Sequence, residues 1–392
     1  MAENVVIVAA KRTPIGAMQG KFNSMSASQL GSAAIKSALE QAGVKGNEVD
    51  DLIFGCVLSA GQGQAPARQA ALGAGMDKGT PTTTINKMCG SAMKAAMMAA
   101  DEIQAGSATI VVAGGMESMT NAPHLLPKAR GGYRYGHQKV LDHMAFDGLE
   151  NAYDGKPMGT FADATAAKYG FTRQQMDEYS KTSTERALAA VKSGAFKDEI
   201  APVTVEGRKG SEVVSEDETP FMVNVEKIPN LRPAFNKDGT VTAATSSSIS
   251  DGAAALVMMS ESEAKKRGVK PLARVVAHAS NAHEPEWFTT APVGAIKKVL
   301  DKAGWKAADV DLFEVNEAFA VVTMAAMKDI GIPHDKVNVN GGAVALGHPI
   351  GATGARIITT LIYALKKRGG TKGVAALCIG GGEGTAIALE IL

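Results

Sequence analysis

The sequence predicts an α/β protein built from two related halves, with a long insertion carried on the first. Strand-like and helix-like segments alternate from Val5 to Gly115 and again from Ala253 to Cys378. Between Met119 and Ile249 the alternation lapses. Short stretches of the first half recur in the second half in the same order. Strands alternating with helices imply βαβ units and a largely parallel sheet.

The first half reads in order. Val5–Ala9 is apolar and β-branched, a buried strand. Ser26 followed by Gln29 makes a capping box, and an apolar-periodic helix then runs to Ala42, where Gly43 stops it. Leu52–Cys56 is a second strand. After an apolar strand at Thr82–Ile85, Gly90–Ala105 is an Ala- and Met-rich helix whose Met93, Met97 and Met98 serve packing. Thr109–Ala113 is a strand ending in Gly114-Gly115. The insertion contains a helical pair, Thr160–Tyr169 and Arg173–Lys192, and an acidic stretch, Ser211–Glu218. Alternation resumes with Ala253–Met259, Arg274–Ala279, Pro292–Ala303, Leu312–Val315, Ala318–Ile330, Val337–Asn340, Gly351–Lys367 and Gly373–Cys378.

The repeat is explicit. Lys36–Lys45 (KSALEQAGVK) matches Lys297–Lys306 (KKVLDKAGWK), an offset of 261 from Gly43 to Gly304. Helix Gly90–Ile103 matches Gly351–Leu365 at the same offset. Val111–Glu117 (VVAGGME) matches Leu377–Glu383 (LCIGGGE) at an offset of 266.

Composition narrows the function. With 41 Lys+Arg against 40 Asp+Glu the net charge is +1, which gives no overall pull toward nucleic acid or an anionic membrane. Three cysteines, Cys56, Cys89 and Cys378, cannot form a disulfide framework in 392 residues, and no Cys-x-x-Cys pair suggests zinc. A reduced, cytoplasmic protein without bound metal is expected. The apolar run Val5–Ala10 is too short and wrongly flanked for a signal peptide, and no run approaches a membrane span. Glycine, 43 of 392 residues, exceeds the usual ~7%. Gly380–Thr385 fails the dinucleotide pattern at its last position, and the chain has no phosphate loop and no Gly-x-Ser-x-Gly elbow.

Cys89 is the strongest chemical candidate. It sits in Asn86-Lys-Met-Cys-Gly-Ser-Ala, between a strand and a helix start, where free N–H groups and the helix dipole favour a thiolate. Most cysteines are small buried fillers, but the helix start and the small neighbours Gly90, Ser91 and Ala92 leave room for a ligand. At the 261 offset Cys89 falls on Ile350, two residues after His348. Pseudo-symmetry would bring both helix starts to the centre and His348 to Cys89 as general base. Cys378, at a strand end before Gly380-Gly381-Gly382, suits an acid/base role beside an oxyanion hole. Cys56 reads as packing.

These residues resemble the thiolase family along the whole chain from Val6 to Leu392. The matching motifs are Asn86-Lys-Met-Cys89-Gly-Ser, Asn316-Glu-Ala-Phe-Ala, Gly347-His348-Pro-Ile-Gly-Ala-Thr-Gly and Cys378-Ile-Gly-Gly-Gly-Glu-Gly. The resemblance implies a thiolase fold, two pseudo-symmetric halves in five α/β/α/β/α layers. It divides the chain into an N-terminal half (1–118, completed by 250–270), an inserted loop domain (119–249) and a C-terminal half (271–392), assembled as a homotetramer. It implies the short-chain type, which joins two acetyl-CoA by Claisen condensation and cleaves 3-ketoacyl-CoA in reverse. Coenzyme A would be substrate and product, with no covalently bound cofactor, in fatty acid metabolism. Carried over, Cys89 takes the acyl group, His348 activates it and Cys378 moves the α-proton. Asn316 would hold a water that, with His348 Nε2, faces the enolate oxygen, and the N–H groups of Cys89 and Gly380 form a second oxyanion hole. Ser247 would contact the pantetheine arm, and Leu149, Met158, Ala243, Phe235, Ala318 and Phe319 its apolar surroundings. The chain departs from the family pattern at Pro157-Met158, Pro220-Phe221 and Thr245-Ser246.

Other readings have less support. A degradative thiolase with longer-chain preference would share every motif. A decarboxylating ketoacyl synthase would need histidine where Asn316 stands, and a non-catalytic lipid carrier would be expected to lose one of the two thiols. The basic stretch Lys128–Lys139 reads as a cationic assembly loop near the coenzyme A phosphates rather than a nucleic-acid surface.

Overall fold

Capping boxes start the first helix of the core and the longest helix of the insertion. Ser26 and Gln29 cap α1 (Ala27–Ala42), which Gly43 ends at φ 63°, and Thr172 and Gln175 cap α5 (Arg173–Lys192). A computed structural model describes residues 3–207 and 210–392. Its strands are β1 (Val5–Arg12), β2 (Gly16–Ala17), β3 (Asp51–Gly55), β4 (Thr82–Ile85), β5 (Ile110–Ser118), β6 (His124–Leu125), β7 (Leu141–Asp142), β8 (Val203–Gly207), β9 (Gly210–Val214), β10 (Ser250–Ser260), β11 (Ala273–Ala282), β12 (Leu312–Val315), β13 (Lys372–Ile379) and β14 (Glu383–Ile391). The remaining helices are α2 (Pro66–Gly73), α3 (Ser91–Ala105), α4 (Met158–Tyr169), α6 (Glu261–Arg267), α7 (Ala291–Ala303), α8 (Ala320–Ile330), α9 (Ala343–Leu346) and α10 (Thr353–Arg368).

Hydrogen bonding links the large strands in the order β12-β13-β14-β11-β1-β10-β5-β3-β4, with β2 beside β10. The sheets of the two halves join where Val5–Ile7 pairs with Val275–Ala273. On either side of that seam the strand order is the same, except that β4 has no counterpart strand in the second half. β1 shows why such strands read as unbroken apolar runs: Val5 and Ile7 face the central core, while Val6 and Val8 face the outer one. The central core packs α3 and α10 between the two half-sheets. α1 and α2 cover the outside of the first half, and α7 and α8 the outside of the second. The five layers α/β/α/β/α are therefore present.

The sheet is not largely parallel. Among the described residues of this sheet, β3–β4, β3–β5 and β12–β13 run parallel, and the other strand pairs are antiparallel. The reason is that β10 in the first half and β14 in the second run antiparallel to both of their neighbours in the sheet. β14, which follows the glycine run, is not among the strands expected from sequence. Gly381 and Gly382, at φ 93° and 87°, turn the chain back from β13 as a hairpin. Residues 337–340 form no strand; Val337 makes one bridge to Phe313, and Asn338 turns left-handed at φ 47°.

The register also corrects the repeat. Asp50 accepts from the N–H groups of Thr109 and Ile110, and Asp311 accepts from those of Thr371 and Lys372. Val111 and Gly373 thus occupy equivalent rungs, an offset of 262, and Gly114-Gly115 is not equivalent to Gly380-Gly381. The two glycine pairs answer different needs. β5 runs straight through Gly114 and Gly115, because a Cβ on Gly115 would lie 2.0 Å from the Gly351 carbonyl oxygen of the other half.

The insertion is anchored by Arg12, fully buried at the end of β1. Its Nε donates to Glu199 at 2.6 Å, and its two terminal nitrogens donate to Asp217 at 2.7 and 2.9 Å. Asp217 thus belongs to the core rather than to a solvated acidic run.

Gly354 lies within α10, where alanine would gain about 1 kcal/mol of helix propensity. Its Cβ would sit 2.2 Å from the Met93 backbone nitrogen of α3, however, and a backbone atom cannot swing aside. Overpacking costs about 1–3 kcal/mol and outweighs the propensity gain. Gly354→Ala should therefore lower the urea midpoint; a midpoint at or above wild type would contradict the close α3–α10 contact.

Candidate active site

Both predicted loops converge on one cavity of about 370 Å³. Cys89 and His348, 259 positions apart, line it together with Ser247, Leu149, Met158, Phe235, Ala318, Phe319 and Gly380. Ala243 does not line it; it lies on a 3₁₀ turn, Ala243–Thr245, that precedes the Ser246–Ser248 wall. Cys378 and Asn316 are buried and are not lining residues either.

Cys89 follows a sharp turn after β4. Met88 adopts a left-handed φ of 47°, uncommon for a residue with a long side chain, and Gly90 leads into α3. Burial pushes the Cys89 thiol up to about 11, although the N–H groups of Gly380 and of Cys89 itself face the sulfur and favour the anion. The helix start alone does not yield a resting thiolate, because desolvation of the charge outweighs those donors.

His348 arrives on the loop between α9 and α10. Its backbone N–H lies 3.2 Å from the Ser248 carbonyl and 3.3 Å from Ser250 Oγ, and its Nδ1 lies 2.6 Å from Thr353 Oγ1. Nε2 is buried without a protein partner. Burial, and then the cationic Arg356, lower its pKa to about 3, so the imidazole is neutral. A neutral imidazole with a free nitrogen beside a neutral thiol can act as a general base.

Cys378 ends β13. Burial raises its pKa well above that of a free thiol, and a charge on nearby Cys89 would raise it further. Asn316 follows β12; its Oδ1 lies 3.5 Å from an Arg356 nitrogen, and its Nδ2 is buried without a partner. Lys87, two residues before Cys89, pairs with Glu383 across the halves.

Sequence reading missed Glu117. Fully buried, it accepts from the N–H groups of Val57 and Leu58 at 3.0 Å each and of Gly351 at 2.9 Å. Cys56 Sγ lies 3.7 Å from it, which fits the reading of Cys56 as packing. Met119, Gly148, Phe288 and Ile350 also line the cavity. Of these, Ile350 was legible as the pseudo-equivalent of Cys89. A wider, open groove of about 660 Å³ over α4, α5 and α8 is lined by Tyr169, Phe171, Lys328 and His334 among others and contains no thiol. Among the described residues, no group of three or more His, Cys, Asp or Glu is placed to hold a metal ion, and no helix is long and apolar enough to cross a membrane.

Comparison with known proteins agrees with this architecture. The models of the thiolase N-terminal and C-terminal domains match residues 5–262 and 269–391. An acetyl-CoA acetyltransferase of Allochromatium vinosum is 49% identical over 392 residues, covering all of both chains. A probable acetyl-CoA acetyltransferase of Dictyostelium discoideum is 50% identical over 391 residues, covering 100% of this chain and 94% of its own. The crystal structure of the Bacillus anthracis acetyl-CoA acetyltransferase superposes with a TM-score of 0.97 at 42% identity, covering 100% of this chain and 99% of that one.

Because burial holds the Cys89 thiol high, its alkylation by iodoacetamide should keep accelerating from about pH 7 to about pH 10 as the thiolate fraction grows. A rate already level by about pH 7 would mean a resting thiolate.

Proposed function

The chain belongs to the thiolase family, and from that premise we propose that it joins two acetyl-CoA into acetoacetyl-CoA and free CoA, and cleaves short-chain 3-ketoacyl-CoA in reverse. It is an acyltransferase with acetyl-CoA as its substrate. The observation that carries the assignment of roles is the shared cavity of Cys89 and His348, with a second thiol, Cys378, buried close by.

In the first half-reaction, the Cys89 thiol proton passes to His348 Nε2 as sulfur attacks the acetyl carbonyl. The tetrahedral oxyanion accepts hydrogen bonds from the N–H groups of Cys89 and Gly380, and CoA leaves with the proton returned from His348. In the second, the Cys378 thiol gives its proton to His348 Nε2, and the thiolate so formed takes an α-proton from a second acetyl-CoA. The resulting carbon attacks the Cys89 thioester, the departing Cys89 thiolate recovers the α-proton from Cys378, and His348 returns its proton to Cys378. Asn316 Nδ2, through a water, and His348 Nε2, now carrying the proton from Cys378, donate to the enolate oxygen; the buried, unpartnered state of both atoms supports this role. The carbon nucleophile has an electrophile only once Cys89 carries the acetyl group, so the second half-reaction follows the first.

Residues 119–249 act as the loop domain that covers coenzyme A, between the N-terminal half (1–118 with 250–270) and the C-terminal half (271–392). Ser247 contacts the pantetheine arm, and Leu149, Met158, Phe235, Ala318 and Phe319 surround it. The protein works in the cytoplasm, in fatty acid metabolism, as a homotetramer. Support for assembly comes from the loop between β6 and β7, which carries Lys128, Arg130, Arg134 and Lys139 and exposes Leu126, Tyr135 and Val140.

Cys89→Ser should lower thiolysis of acetoacetyl-CoA by at least about 10³-fold; near-normal turnover would remove the nucleophile assignment. Cys378→Ala should still show an acetyl adduct on Cys89 by intact-protein mass after incubation with acetyl-CoA, yet form no acetoacetyl-CoA. Normal condensation by that variant would exclude Cys378 as the proton carrier. Comparing thiolysis of acetoacetyl-CoA with that of a longer 3-ketoacyl-CoA tests the short-chain assignment, which fails if the longer substrate has the higher kcat/KM.

A further inference from the structure

We infer that Thr353 is a positioning residue that sets the tautomer of His348, holding its proton on Nδ1 so that Nε2 is the bare nitrogen. The inference rests on the base role proposed for His348 and deepens it. A neutral imidazole carries one proton, and only the tautomer with a bare Nε2 can take a proton on the cavity side.

The geometry selects that tautomer. Thr353 is fully buried at the start of α10, and its Oγ1 has two partners: His348 Nδ1 at 2.6 Å and the Pro349 carbonyl oxygen at 2.9 Å. The hydroxyl has one hydrogen. If it donated to Nδ1, its oxygen would face the Pro349 oxygen at 2.9 Å with no hydrogen between them, a repulsive contact. That arrangement would also place the imidazole proton on Nε2, which has no acceptor among the described protein groups. If the hydroxyl donates to Pro349 instead, its oxygen is free to accept from Nδ1–H, and every hydrogen in the group is used. The chain of donors then runs from Nδ1 to Oγ1 to the Pro349 carbonyl. When Nε2 takes the thiol proton, the imidazolium keeps its Nδ1–H bond and nothing in this chain has to turn.

The carbonyl that ends the chain is itself held. Pro349 O also accepts from the N–H groups of Ala352 and Thr353 at 2.9 and 3.1 Å, so the first turn of α10 fixes where Thr353 Oγ1 can point. Thr353 differs here from the other buried threonines of α10, Thr359 and Thr360, whose hydroxyls bond the Ala355 carbonyl and Glu199 rather than a histidine.

The tautomer can be read directly by nitrogen-15 NMR on the wild-type protein with labelled histidine, the His348 signals being identified by their loss in His348→Asn. A proton on Nδ1 is expected; a proton on Nε2 overturns the inference. This reading requires no turnover, so it stands apart from the base role, which would instead fail if His348→Asn acetylated Cys89 at the wild-type rate. In kinetics, Thr353→Val keeps the shape and loses the hydroxyl, and kcat for acetoacetyl-CoA thiolysis should fall at least about tenfold with KM within about twofold. Thr353→Ser should restore kcat to within about threefold of wild type. A Thr353→Val enzyme with wild-type kcat, or a Thr353→Ser enzyme as slow as Thr353→Val, would equally overturn it.

Discussion

The carboxylate of Glu117 is the joint on which the active site depends. It lies at the end of a strand of the first half and accepts an N–H from Gly351 of the second, while also accepting from Val57 and Leu58 of its own. Leu58 packs with Ile350 beside Cys89 in one apolar cluster. The Gly351 carbonyl oxygen presses so closely on Gly55 and Gly115 that neither could carry a side chain without displacing it. The peptide that follows His348-Pro349-Ile350 is thereby seated inside the first half. Burial pushes the Glu117 carboxyl up to about 7, and the three backbone N–H donors pull against that shift. A buried acceptor with this many donors makes the junction specific: losing it would strand several N–H groups without water.

From that junction follows the character of the chemistry. Burial holds both thiols protonated and the imidazole neutral at rest. Charge is expensive there until a substrate supplies an electrophile and the N–H groups of Cys89 and Gly380 gain an oxyanion to bind. The arrangement separates the two thiols by environment: one part-exposed and reached from the cavity, one fully buried at the end of β13.

Several parts of this were legible along the chain, for local reasons. The capping box at Ser26 rests on contacts three residues apart. The repeat at offset 261 survives because equivalent helices bury equivalent faces. Cys89, His348 and Cys378 stand on glycine-rich turns at element ends, which is visible in their immediate neighbours. Thr353 and Glu117 were not legible in that way. Threonine in a first turn and glutamate after a glycine pair have ordinary local roles, and only the fold shows what each side chain meets. The glycine pairs misled for a related reason, since a close approach within β5 and a hairpin after β13 use the same letters.

The sequence by itself determined the α/β class, the two halves with their insertion, and the loops that carry the reactive side chains, because these depend on periodicity, capping and backbone freedom over a few residues. The tertiary structure alone decided the mixed sheet, the register of the second half, the residues that line the cavity and the protonation states within it. Those depend on which atoms meet across some 260 residues of chain and on how much water their meeting excludes, and no short window of sequence contains either quantity.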